Sequence, residues 1–433
     1  MKRALAAVAL SSLAAGALAQ VSPDQVPRQP PPSDQDPRQP PPRPDQPRGG
    51  GGGGVGVSVD IGKLFGKKKP KGPPPAPPLE MRDAVIPDYL PDQVIFVIIG
   101  QTADPETIAR VAKVKIIDSA WLDEAGVSMI VTQLASGDTP ILAQARLTKI
   151  KGVGWVQPNY QFQLLGKSLP KRFALHAIPE KKPSVSGKVV MIDAPVDIGH
   201  ANLKGASVTQ SFYGVSQAPA MHGTVVGALL VGTGAYPGTA QGATLTSLAA
   251  FGPAASNVSL SRTSYLAKAM NQASQLRPDV LNLSFGGPQD RLLGLMLDTI
   301  HKNGICVSAA AGNGGPAGKI LFPATHPASL AVTAVDENLR GYAYASQGPR
   351  VDVSGVGVGL NAAVPGGRRA VSGTSFATAV VSGALLRMPA CNGGRNPDGM
   401  KAQVGALAQD LGPNGRDPVF GAGLFRLSAL PKK

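Results

Sequence analysis

Residues 188–193 of this 433-residue chain read KVVMID, an apolar run that ends in Asp193. Residues 279–283 (DVLNL) and 304–309 (GICVSA) contain further runs of this kind. Strands that are apolar throughout, with no alternation of apolar and polar residues, are typical of a parallel sheet that helices cover on both faces. Other stretches have helical patterns, at 222–231, 264–276 and 290–302. The sequence therefore predicts an α/β fold with a doubly wound, mostly parallel sheet.

Three polar side chains stand where such a sheet places an active site. Asp193 follows its strand directly, and His222 and Ser375 each open a predicted helix. Active sites of open α/β sheets gather at the carboxyl ends of the strands. A serine becomes a nucleophile when an imidazole takes its proton, and a carboxylate fixes the tautomer of that imidazole. The pattern predicts an Asp-His-Ser triad; the alternative is three local roles, in a strand-end turn, a helix start and a helix cap.

The motifs around these residues resemble the subtilisin-like serine peptidases, the subtilases, over roughly residues 170–428. Residues 188–197 resemble the family's aspartate strand, HGT at 222–224 its histidine motif, and GTSFAT at 373–378 its serine motif. The resemblance implies a serine endopeptidase that acts on protein or peptide substrates through an acyl-enzyme, without a cofactor. No Asp-rich loop in 168–433 marks calcium, so we expect neither calcium nor another metal.

Two further segments match the family. AAAGN at 309–313 implies that Asn313 donates its side-chain amide to the oxyanion, together with the backbone N–H of Ser375. The alternative for Asn313 is a turn residue between glycines. The substrate-pairing segment is implied to contain Ser284, Phe285 and Gly286. Because Asn313 is followed by glycine and not by an acid, we expect apolar residues before the cleaved bond.

Departures from the family pattern keep a rival open. Ala194 and Pro195 follow the aspartate where Ser/Thr-Gly is usual, Val225 stands where a second histidine is usual, and Ala379 where proline is usual. None removes a catalytic group, but a non-catalytic, peptide-binding envelope protein on the same scaffold remains the alternative.

The first 79 residues predict export. Residues 1–19 have the basic start, apolar centre and Ala-Leu-Ala end of a signal peptide, which indicates a periplasmic or secreted protein. Residues 20–79 are rich in Pro and Gly and predict a disordered linker. Beside the peptidase and the peptide-binding protein, a structural tether that uses this segment is a third class of function. The lysines of the segment are a candidate contact to an anionic cell envelope: Lys67, Lys68, Lys69 and Lys71.

Residues 80–166 predict a small ferredoxin-like α+β domain, ahead of a catalytic domain at 167–433. The β-α-β-β-α-β order is predicted at 93–99, 105–112, 113–119, 127–134, 140–149 and 152–160. VQPNY at 156–160 resembles subtilase propeptides, which implies an intramolecular inhibitor and processing from an inactive precursor. The tail of this domain, QFQLL at 161–165, would lie in the active-site cleft like a substrate. We therefore expect cleavage between Phe162 and Phe173.

Composition excludes other classes. The net charge is +15, but the basic residues of the catalytic domain are scattered and no recognition motif accompanies them, so no specific nucleic-acid partner is expected. Beyond the N-terminus the sequence has no apolar run long enough to predict a transmembrane helix.

The two cysteines rule out a disulfide scaffold, and the position of Cys306 in an apolar strand favours two free thiols over a bond to Cys391. Of the remaining histidines, His200 and His326 are expected to be structural, and His176 and His301 to lie at the surface.

Overall fold

A central parallel sheet carries the fold in the computed structural model, which describes residues 87–168, 184–253, 259–393 and 395–426. All of these residues belong to one compact unit that spans 71–433. The predicted signal peptide, the Pro/Gly-rich segment with its lysines, and His176 lie outside the described residues. No described helix is long and apolar enough to cross a membrane.

The N-terminal part has the β-α-β-β-α-β order that the sequence predicts. Its elements are β1 (Tyr89–Ile99), α1 (Pro105–Ala112), β2 (Lys115–Leu122), β3 (Val127–Gln133), α2 (Pro140–Leu147) and β4 (Trp155–Leu164), followed by the short β5 (Lys167–Ser168). The first four strands lie in the order β2-β3-β1-β4, and these neighbours pair antiparallel. Asp104 caps α1 by accepting a hydrogen bond from the backbone N–H of Thr107 at 3.0 Å. Lys113 ends the helix in the left-handed conformation, so the second strand begins two residues later than predicted.

The remaining elements follow one another along the described chain. They are β6 (Lys188–Asp193), β7 (Ser207–Phe212), α3 (Met221–Val231), β8 (Thr244–Ala249), β9 (Gly252–Pro253), β10 (Ser259–Arg262), α4 (Thr263–Leu276), β11 (Val280–Leu283), β12 (Phe285–Gly286), α5 (Arg291–Lys302), β13 (Cys306–Ala310), β14 (Ser329–Val335), β15 (Val353–Val356), β16 (Leu360–Val364), β17 (Gly367–Ser372), α6 (Thr374–Leu385), α7 (Pro397–Leu407), β18 (Ala408–Gln409) and β19 (Leu424–Phe425). The central sheet has the order β18-β19-β15-β14-β13-β11-β6-β8-β7 and is parallel except at β18–β19.

Helices cover both faces of this sheet, as the continuous apolar strands predict. On one face, α3, α6 and α7 bury apolar side chains in one core with Met191 of β6. On the other, α4 and α5 form a second core with Ile192. This second core also takes in side chains of β1 and β3, so the N-terminal sheet packs on the α4–α5 pair. The opposite face of that sheet buries a third core under α1 and α2.

The expectation of two free thiols is wrong. Cys306, at the start of β13, is bonded to Cys391, which follows α6, and the two Cα atoms are 5.6 Å apart. Both side chains are fully buried in the core under α3 and α6. The setting of Cys306 is apolar, as the sequence predicts, but the local sequence carries no sign that the chain after α6 brings Cys391 next to this strand.

Candidate active site

The predicted polar residues meet at the carboxyl edge of the central sheet. Asp193 ends β6, and Ser284 follows the neighbouring strand β11. Asn313 comes shortly after β13 ends. His222 and Ser375 each stand second in a helix, α3 and α6, whose N-termini lie at this edge. The topology therefore collects residues that are far apart in the sequence.

His222 and Asp193 form a buried pair. The Nδ1 atom of His222 is 2.8 Å from one carboxylate oxygen of Asp193 and 3.1 Å from the other. The backbone N–H of Ala194 also donates to Asp193, at 2.7 Å, and helps to hold the carboxylate. Because a carboxylate oxygen accepts, Nδ1 is the donor in this pair, and the Nε2 atom lies on the other side of the ring. That Nε2 atom has no hydrogen-bond partner among the described residues.

The hydroxyl of Ser375 points to a backbone carbonyl in this structure. It donates to the carbonyl oxygen of Ser284 at 2.7 Å, and the Ser284 hydroxyl donates in turn to the carbonyl oxygen of Ser375 at 2.9 Å. Both serines are completely buried. This reciprocal pair ties the start of α6 to the end of β11, and the Ser375 proton is bonded to the Ser284 carbonyl oxygen and not to His222.

A carbonyl of the chain itself occupies the predicted oxyanion position. The carbonyl oxygen of Leu165 accepts from the Asn313 side-chain amide at 2.8 Å and from the backbone N–H of Ser375 at 3.2 Å. The Asn313 amide oxygen accepts from the backbone N–H of Thr374 at 3.1 Å and from its hydroxyl at 3.0 Å. These contacts orient the amide with its N–H groups toward Leu165.

The segment before this carbonyl lies as a strand in a groove. The end of β4 pairs antiparallel with β10 on one side and with β12 on the other, and Leu164 lies opposite Phe285. Beyond the carbonyl, β5 pairs antiparallel with β17, and Lys167 lies opposite Ser372. The chain thus crosses the candidate active site without interruption. The predicted strand at 152–160 was too short, since β4 continues to Leu164.

The groove is apolar where the side chains of this segment enter it. Leu165 is fully buried, and a Cβ atom added to Gly286 would lie 2.8 Å from its side chain. Phe162 is also fully buried and packs against Phe285 at a ring-centroid distance of 6.0 Å. The glycine therefore leaves room for an apolar residue immediately before the bond.

Side chains of β4 complete the N-termini of two helices of the sheet domain. The amide oxygen of Gln157 accepts from the backbone N–H of Leu292 at 3.2 Å, at the start of α5, and its NH₂ group donates to Asp290 at 2.9 Å. The amide oxygen of Asn159 accepts from the backbone N–H of Ser264 at 3.3 Å, at the start of α4. Burial raises the pKa of Asp290, the residue that caps α5. The VQPNY motif indicates this strand in the sequence. No local sequence pattern predicts that the side chain of Gln157 contacts Asp290.

Acidic residues of β2 and of the turn that follows it face polar and basic residues in α4 and at its C-terminal end. Lys268 contacts Asp118 at 2.7 Å, and Arg277 contacts Glu124 at 3.1 Å. Asn271 donates to Asp123 at 2.6 Å. These contacts extend the interface beyond β4.

Comparison with known proteins identifies the family of the chain. The family model described as "Subtilase family" matches residues 188–423, which is more than half of the chain. This chain belongs to the subtilases. Subtilisin E of Bacillus subtilis (strain 168) is 30% identical to the subtilase over 302 residues, which cover 66% of this chain and 77% of the relative. A subtilisin of Bacillus pumilus is 31% identical over 251 residues, or 56% and 90% of the two chains.

Solved structures carry the same fold. Fervidolysin from Fervidobacterium pennivorans, a keratinolytic enzyme related to subtilisin, matches with a TM-score of 0.67 at 19% identity, over 81% of this subtilase and 63% of that chain. A mutant of the protease domain of PatA matches with a TM-score of 0.51 at 26% identity, over 57% and 96%. The subtilase is accordingly a serine-type endopeptidase with a subtilisin-like α/β fold.

The other described histidines of the subtilase make contacts away from this centre. His200 accepts from the backbone N–H of Asn202 and lies 3.0 Å from the carbonyl oxygen of Gly367. His326 accepts from the backbone N–H of Ala328, and His301 lies 2.7 Å from Asp398. Within the described residues, no cluster of three or more His, Cys, Asp or Glu side chains could hold a metal ion.

Proposed function

We propose that this subtilase cleaves peptide bonds with Ser375 as nucleophile, His222 as general base and acid, and Asp193 as the carboxylate that orients the imidazole. Asn313 and the Ser375 backbone N–H would hold the oxyanion. Ser284, Phe285 and Gly286 would pair with the substrate. The buried contact between His222 Nδ1 and Asp193, at 2.8 Å, supports the assignment because it orients the imidazole, and a neutral ring with its proton on Nδ1 would accept the serine proton at Nε2.

One observation carries the proposal: the Leu165 carbonyl oxygen lies 2.8 Å from the Asn313 amide nitrogen. A peptide held in this way is polarised at its carbonyl and lies next to Ser375. Attack requires the Ser375 hydroxyl to turn from the Ser284 carbonyl toward His222. The amide donors then stabilise the charge that develops on the oxygen, and His222 gives its proton to the leaving nitrogen.

We further propose that the bond between Leu165 and Gly166 is the processing site of a precursor. It lies within the window predicted from sequence, and residues on both sides of it pair as strands with the cleft. The domain that begins near residue 80 and ends at Leu165 would act as inhibitor after cleavage, since β4 fills the groove and its side chains cap α4 and α5. The Asp118–Lys268 and Glu124–Arg277 pairs would make this complex sensitive to salt.

Export to the periplasm or the medium completes the proposal. It rests on the signal-peptide pattern at 1–19. Lys67, Lys68, Lys69 and Lys71 remain the candidate contact to an anionic envelope. Because they lie before the processing site, they would tether the precursor and not the mature enzyme.

A serine-directed fluorophosphonate probe tests the catalytic assignment. The wild-type protein should be labelled on Ser375, and Ser375→Ala should abolish both labelling and peptide hydrolysis, because only the nucleophilic hydroxyl is removed. Ser207→Ala is the matched control, since this exposed serine starts β7 at the opposite edge of the sheet. Hydrolysis that persists in pure Ser375→Ala protein would refute the assignment. An unlabelled wild-type protein that binds peptides without cleaving them would favour the non-catalytic alternative.

A further inference from the structure

The residue after the held bond, Gly166, lies against an aromatic wall. A Cβ atom added to Gly166 would be 2.5 Å from Cζ of Phe376 and 2.8 Å from its Cε2 atom. It would also lie 3.1 Å from Nε2 of His222. Carbon atoms in contact prefer separations of about 3.5–4.0 Å. Even the smallest side chain at this position therefore overlaps the Phe376 ring.

Phe376 has little room to give way. Its side chain is completely buried and belongs to the core under α3 and α6. Its ring lies 5.3 Å from the imidazole ring of His222, centroid to centroid. Displacing the ring therefore disturbs either the core or the imidazole that must accept the serine proton. Extra atoms forced into a well-packed core are destabilising.

The bound segment cannot simply lift away from Phe376 either. A Cβ atom added to Gly373 would lie 2.8 Å from the Leu165 carbonyl oxygen and 2.9 Å from the Cα atom of Gly166. A side chain at position 373 would therefore overlap the held bond, and the backbone N–H of Ser375 holds the Leu165 oxygen at 3.2 Å. Moving the segment outward would lengthen the hydrogen bonds to the Leu165 oxygen, and a shift of about 1 Å can cost a hundredfold in rate.

We infer that Phe376 restricts the residue after the cleaved bond to glycine. The inference rests on the proposed function and adds the substrate class: peptides with an apolar residue before the bond and glycine after it. Phe376 acts as a specificity-determining residue, because its ring occupies the space that the side chain of any other residue would need.

Peptides that copy residues 162–168 and vary only at position 166 test the inference on the wild-type enzyme. With a fluorophore and a quencher at the ends, kcat/KM is measured for Gly, Ala, Ser and Leu at that position. We expect the Gly peptide to exceed the Ala peptide by at least about tenfold and the Leu peptide to be cut still more slowly. Equal values for Gly and Ala would overturn the inference while leaving the proposed function intact. Failure of every peptide, the Gly peptide included, would refute the proposed function.

Self-cleavage of the full chain provides the second arm. Gly166→Ala should slow conversion of the precursor by at least about tenfold, and the double variant with Phe376→Ala should recover most of that loss. Gly367→Ala is the control, since an added Cβ atom there meets nothing within 4 Å. If Gly166→Ala is processed at the wild-type rate, the inference is wrong. If Phe376→Ala does not fold, the peptide series on the wild-type enzyme still decides.

Discussion

Asn313 is held in one orientation by the residue that precedes Ser375. Its amide oxygen accepts two hydrogen bonds from Thr374, so its NH₂ group is aimed at the Leu165 oxygen before any charge develops there. Such preorganisation lowers the barrier because the donors need not reorient as the tetrahedral intermediate forms.

Replacing this amide should affect turnover more than binding. We expect Asn313→Ala to reduce kcat by about 10²–10³ while KM changes little, because the lost donor is strongest in the transition state. Initial rates on the Gly peptide over a range of concentrations separate the two constants. A kcat within threefold of wild type would show that Asn313 is not an oxyanion donor.

At the level of elements, β4 joins the N-terminal sheet to two helices of the sheet domain. Its Gln157 side chain bridges the backbone of α5 and the carboxylate of Asp290, which also accepts a hydrogen bond from the hydroxyl of Thr263 at 2.5 Å. Asp290 is 4% exposed while β4 is in place. When β4 dissociates, the Asp290 carboxyl group becomes more exposed to solvent. It then lies at the N-terminus of α5, where a negative charge is favoured.

This contact should make the inhibited complex pH-dependent. Burial raises the pKa of Asp290 in the complex, and β4 supplies part of that burial, so we expect binding to take up a proton. Protonated Asp290 contributes fully to the affinity of the complex at pH values below the ordinary carboxyl pKa of about 4. This contribution is lost as the pH rises through the raised pKa of the complex. Affinity should therefore fall with rising pH, by at most about tenfold per pH unit. The titratable side chain of β4 that interacts electrostatically with Asp290 is Tyr160, and the charged Arg291 follows Asp290 in the chain.

Inhibition of the processed enzyme, measured on dilution at a series of pH values, checks this expectation. Asp290→Asn keeps an acceptor for Gln157 and removes the titration, so its profile should be flatter than that of the wild type. A wild-type profile that is flat, or that shows tighter inhibition at higher pH, would contradict the role of Asp290.

The same elements show what sequence can and cannot predict. The apolar runs of β6, β11 and β13, and the bounds of α1 and α5, have local causes, and the sequence predicts them nearly to the residue. The contacts of Leu165 with Asn313 and Ser375 link residues 148 and 210 positions apart, and only the fold brings them together. The Cys306–Cys391 bond was missed for the same reason, because no local pattern reports where the chain returns.

At the scale of the whole molecule, the chain is both enzyme and bound peptide. The N-terminal sheet packs on α4 and α5, β4 and β5 pair with the cleft on either side of the Leu165–Gly166 bond, and that bond lies beside Ser375. Cleavage there would convert one continuous chain into an inhibitor and an enzyme that already fit each other.

The most direct test is the N-terminal sequence and intact mass of the active enzyme purified from the full chain. We predict a mature chain that begins at Gly166 and a companion fragment that ends at Leu165, with Ser375→Ala protein left uncut at this bond. A fully active enzyme that begins at Gln20, or at any residue other than Gly166 when first formed, would contradict the account.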